Sequence, residues 1–104
     1  QENAAEDMQA RQLREARVEA EALLHSLAGA LAADGDLLGV AERGALEDLA
    51  AELLAVLDAV DIESIRSKTD QLGEASLAFA ERRMDRSIQS ALSGVAVSQL
   101  ESLE

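Results

Sequence analysis

Cysteine and proline are both missing from this chain, and aromatic side chains nearly so: Phe79 stands alone, with no Trp or Tyr. Without cysteine there is no disulfide, no thiolate nucleophile and no Cys-based zinc or cluster site. A reducing, cytoplasmic setting suits that composition. Without proline, no residue breaks a helix by ring clash. β-Branched residues are thinly spread and never alternate over a strand's length, so a sheet is not expected. No apolar run approaches the roughly 20 residues that span a bilayer, and no basic-then-apolar leader opens the sequence. What fills the 104 residues instead is chiefly Ala, Leu, Glu and Arg, all strong helix formers. The composition predicts one small all-α domain.

Positive charge is scarce as well. Nine Lys and Arg face 21 Asp and Glu, for a formal net charge of −12. Such a surface repels phosphate backbones and anionic membranes, so neither nucleic acid nor membrane is an expected partner. The acids are spread evenly along the chain and read as a solubilising exterior. The sequence opens on Gln1 rather than Met, which suggests a chain cut from something longer or one processed at its start. Leu103-Glu104 matches an expression-vector remnant and is set aside.

Apolar spacing divides the chain into helices. Residues from about Glu2 to Ala33 read as one long helix in which Leu13, Ala16, Ala20, Leu24, Leu27, Ala28 and Leu31 keep a 3–4 spacing. Before Leu13 the stripe thins out, so this half projects beyond its own bundle and implies a missing neighbour. Asp34-Gly35-Asp36 ends the helix, with Gly35 suited to a left-handed C-terminal position. A second helix is expected over Val40–Leu57, with Leu46, Leu49, Ala50, Leu53, Leu54 and Leu57 inward and Gly39/Glu42 as half a capping box. Asp61 caps a third, whose inner face is Ile62, Ile65, Thr69, Leu72, Ser76 and Phe79. A fourth follows after at most a kink, carries the sparse stripe Met84, Ile88, Leu92 and stops at Gly94. Short links predict a small antiparallel helical bundle with one long protruding N-terminal helix. It should occupy residues 1–94, with 95–104 a frayed tail.

Candidate sites are few. His25, the only histidine, lies four residues after Glu21 and shares its helix face. The pair lacks a nucleophile for catalysis and further ligands for a metal. Asp34-Gly35-Asp36-Leu37-Leu38-Gly39 fails the register of a calcium loop, because Leu38 and Ala45 fall on ligand positions. No glycine-rich phosphate loop is present. Arg82, Arg83 and Arg86 form a small basic cluster expected to pair with Glu81, Asp85 or acids across the bundle. No catalytic, cofactor-binding or metal-ligating residue is therefore expected.

The segment Phe79-Ala80-Glu81-Arg82-Arg83-Met84-Asp85-Arg86-Ser87-Ile88 is more specific. With Ala16-Arg17-Val18-Glu19-Ala20, Ser26 to Asp34 and Ala41-Glu42-Arg43 in order and spacing, it resembles the C-terminal lid of HscA-type chaperones, in the DnaK family. The resemblance implies a lid subdomain without catalysis. The parent would supply an ATPase domain using ATP and Mg, and a β-sandwich gripping a peptide of the iron–sulfur scaffold protein, with a J-domain co-chaperone as a further partner. In general DnaK-type chaperones an acid and a histidine of this helix latch the lid to the sandwich. Glu21 and His25 fall on those positions, with glutamate where aspartate is usual, and HscA-type members depart from this latch. Gly39 departs from the Ser or Thr cap frequent in the family, and the sequence after Gly94 is unlike its usual tail. The alternative is a stand-alone helical interaction or dimerisation module. Weak self-association through the alanines of the long helix is expected of the isolated chain.

Overall fold

The structure, a computed structural model, describes residues 4–102, and side chains as far as Val95. Four helices occur: α1 (Ala4–Asp34), α2 (Val40–Val56), α3 (Ile62–Ala75) and α4 (Leu77–Ser102), with a 3-10 turn at Gly35–Leu37 after α1. No strand is present among the described residues. The fold is the expected all-α bundle with a protruding first helix.

The core shows why these helices assemble. Ala16, Ala20, Leu27 and Ala30 form the buried stripe of α1. Alanines at three of the four positions let α3 lie close, so that Ile65, Leu72 and Phe79 fill the space they leave. Leu46 and Leu53 close the core from α2. α3 packs against both α1 and α2 and forms the middle of the bundle. Chain direction alternates: the end of α2 returns to Arg17, and α3 starts beside Leu13 and runs back toward Leu27.

Caps mark the joints. The Gly39 amide donates to Glu42 Oε1 at 3.0 Å, the expected half box. Asp61 accepts from the Glu63 amide at 3.1 Å and from Ser64 Oγ at 3.0 Å, holding the start of α3.

Several expectations need correction. Gly35 is not left-handed, since no described residue has a positive φ. It opens the 3-10 turn instead, and a Cβ there would meet Arg43 Nη1 at 2.5 Å. The atom met is the far end of a flexible, exposed side chain, so a small shift of Arg43 would make room for a methyl group. Ala28 and Leu54 face outward, while Leu23 packs against the core. The joint between α3 and α4 lies at Ser76, and helix runs unbroken through residues 80–84. Ser76 keeps its amide bonded to Leu72 O, and Ala80 its amide to Ser76 O, both at 3.0 Å. Ser76 is thus a bend in a nearly continuous rod. Finally, α4 does not stop at Gly94 but continues to Ser102; Leu103 and Glu104 lie outside the described residues.

The rod α3–α4 carries on in the direction of α1 and passes its end. Together with the free start of α1, this gives extents of 75 × 35 × 17 Å. The molecule is a short bundle with an arm at either end.

Candidate functional site

α1 has two unlike faces. One is the alanine–leucine stripe buried against α3. Opposite it lie Arg14, Val18, Glu21 and His25, all exposed and in line at 3–4 residue steps. Glu21 and His25 therefore sit together, as their spacing requires, on the side facing away from the bundle. Neither makes a hydrogen bond or ion pair with the other described residues. Val18 is 63% exposed and forms with Arg11, Arg14, Glu15 and Glu19 a shallow mixed patch. This face offers apolar contact, both signs of charge and an imidazole, with no hydrogen-bond or ion-pair partner among the other described residues.

Arg17, one step round the helix, behaves differently. Its Nε donates to Leu57 O at 2.8 Å and its Nη2 to Ala59 O at 3.0 Å. Both carbonyls lie past the end of α2, where backbone acceptors lack helical donors. Arg17 thus ties the α2–α3 connection to α1. Sequence reading missed this role, because nothing local distinguishes Arg17 from Arg14.

The three arginines of α4 form a second structured feature. Arg83 Nε donates to Asp34 Oδ2 at 2.8 Å. Arg86 donates from Nη1 to Asp34 Oδ1 at 3.1 Å and from Nη2 to Asp36 Oδ2 at 2.6 Å. Arg82 donates from Nη1 to Leu37 O and Glu42 Oε1, both at 3.1 Å. The partners are the acids across the bundle; Glu81 and Asp85 take none of the three cations. Asp34 and Asp36, rejected as a calcium loop, are the acceptors of this clasp. Beneath it Phe79 is buried, with the Arg83 guanidinium 6.0 Å above its ring centre.

Electrostatics agrees with the geometry. The Arg83 hydrogen bond holds the Asp34 carboxyl below its ordinary range; it outweighs the cost of burial, and the hydrogen bond from Arg86 lowers the carboxyl further. Arg86 does the same for Asp36, and Arg82 followed by the Gly39 amide for Glu42. Arg86 in turn is raised by Asp36 and Asp34. All three carboxylates are committed to guanidinium groups.

A family model described as Hsp70 protein matches residues 1–85 of this sequence. The chain belongs to the Hsp70 family. Among curated relatives, the chaperone protein HscA homolog of Burkholderia orbicola (strain MC0-3) is 51% identical over 88 residues, covering 85% of this chain and 14% of the relative. That of Verminephrobacter eiseniae (strain EF01-2) is 48% identical over 91 residues, covering 88% and 15%. The homolog from Burkholderia thailandensis is 49% identical over 88 residues. The resemblance to HscA-type chaperones seen in the RRMDRSI segment therefore holds over most of the chain, and the chain spans about one seventh of those relatives' length. In this Hsp70-family chain the arginines of that segment are the clasp residues.

Proposed function

We propose that this chain is the lid of an HscA-type chaperone, closing over a client peptide without chemistry of its own. The observation that carries the reading is the two-faced α1. Its inner face is anchored on the bundle, while Arg14, Val18, Glu21 and His25 present a matching length of uncovered surface. The lid would lie on a β-sandwich of the same parent protein, with Glu21 and His25 as the latch. The parent's ATPase domain, using ATP and Mg with a J-domain co-chaperone, would drive opening and closing. The client class is a scaffold protein for iron–sulfur cluster assembly, in the cytoplasm.

Physically, a lid acts through an equilibrium between open and closed states. Differential contact of about 1.4 kcal/mol changes that equilibrium tenfold. Two charge-assisted contacts at Glu21 and His25 are of the right size. Release of a labelled scaffold peptide from the full-length chaperone tests this. Deleting the segment equivalent to residues 1–104 should speed release by about tenfold or more, and Glu21→Ala with His25→Ala by several-fold. Release rates unchanged by the deletion would remove the lid reading. Rates changed by the deletion but not by the double substitution would remove only the latch.

A stand-alone interaction module remains the second reading, and the uncovered apolar stripe of α4 is what favours it.

A further inference from the structure

α4 is held to the bundle by its polar side. Phe79, Arg82, Arg83 and Arg86 point inward, and on a helix the residues half a turn away are Leu77, Met84, Ile88, Leu92 and Val95. Each of these five is between 50% and 65% exposed. Glu81 falls on the same face between Leu77 and Met84, so the unbroken apolar stripe runs from Met84 to Val95, roughly 17 Å at ~1.5 Å per residue. Acids stand only at its start, Glu81 on the face itself and Asp85 at its edge, and from Ser87 to Val95 there is no charged residue at all. On a protein of net charge −12, an uncharged, exposed, apolar-striped helix is an exception.

We infer that the α4 stripe is a self-association surface that pairs antiparallel with α4 of a second copy, centred on Ile88. Three observations select this occupant and this direction. The distal half offers no charge for a charged partner to read, whereas its own neutral polar flanks (Ser87, Gln89) match a copy of itself. Antiparallel pairing sets the acidic start of one stripe against the neutral end of the other, while parallel pairing sets Glu81 and Asp85 against themselves. Antiparallel pairing also places the two acidic bundles at opposite ends of the joint, and parallel pairing would bring them side by side. Met84, Ile88, Leu92 and Val95 from each copy bury on the order of 800 Å² in total, the size of a weak, transient contact. For a contact of this kind the expectation put to the test is weak association, with a dissociation constant on the order of 100 µM.

The inference is independent of the lid reading, since it concerns a different helix face. Sedimentation velocity of the whole 104-residue chain should show monomer near 5 µM and mostly dimer near 500 µM. Ile88→Glu should stay monomeric at both, with an unchanged helical circular dichroism spectrum. Because the chain has no cysteine, single substitutions report direction by oxidative cross-linking. Ile88→Cys should link to itself, and Met84→Cys should link to Leu92→Cys faster than to another Met84→Cys. Monomer at 500 µM would overturn the assignment. So would a dimer that survives Ile88→Glu and cross-links through Val18→Cys on α1, and Met84→Cys linking preferentially to itself would overturn the antiparallel direction.

Discussion

Phe79 shows how much a single side chain can do here. It is the one aromatic residue, lies almost wholly buried on α4 and carries the Arg83 guanidinium over its ring. Phe79→Ala should cost about 3 kcal/mol of stability, read from urea unfolding followed by circular dichroism. A loss below about 1 kcal/mol would mean that the arginine clasp alone holds α4. Asp61 is a smaller case. Its carboxylate caps α3, and Asp61→Ala should lower stability by about 1 kcal/mol in the same assay. Both residues were legible in the sequence, Phe79 from its place in a 3-4-3-4-3 rhythm and Asp61 from its position before an apolar-periodic run. Arg17 was not, because its carbonyl partners lie 40 and 42 positions away. Nor were the particular acids that meet Arg82, Arg83 and Arg86. Tertiary pairing of surface charges leaves no periodic mark, whereas burial of one helix face does.

Among elements, α4 is the least tied. Its contacts with the rest of the chain run from Phe79 to Arg86, and beyond that every side chain through Val95 is exposed. The three clasp carboxylates all titrate lower in the folded protein than in the unfolded chain. Their stabilising effect is therefore complete above the ordinary carboxylate range near pH 4 and is lost as pH falls through the lowered values. Hydrogen exchange, corrected for its intrinsic pH dependence, should show α4 protection falling as pH drops from about 5 toward about 2, well before that of α3. Equal loss in both helices would argue that α4 and the bundle open as one unit. Gly94 makes a second element-scale case. Reading it as a stop overrated a residue that helices tolerate in their interior at moderate cost. It has no positive φ and open space at its Cβ position, so Gly94→Ala should stabilise the end of α4 by about 0.5–1 kcal/mol and raise helical ellipticity. The sequence placed most helix boundaries within a residue or two, because caps and apolar periods are local. It misjudged Leu54 and Ala28, since a helix two-thirds apolar or alanine does not say which side is in.

At the scale of the whole molecule, shape is the distinctive property. A globular chain of this length has a radius of gyration near 13 Å, whereas this one has 19.6 Å over its Cα atoms. Small-angle scattering of dilute protein should give a value close to the larger figure. A result near the smaller would mean that α4 folds back over the bundle and covers its own stripe. The long first helix was foreseen from its thinning apolar marks, while the second arm was hidden behind the expected stop at Gly94.

α1 passes without interruption from its free start into the bundle, 31 residues in one helix. Such a rod is about 46 Å long, and only its inner portion is gripped. A tilt of about 10° at the gripped portion swings the far tip by several ångströms, roughly 8 Å over the full length. The helix works as a lever arm with the alanine seam as its mounting. Small slips between α1 and α3 are therefore magnified at the tip, and the stiffness of that seam, more than any contact along the free portion, sets how far the tip can wander.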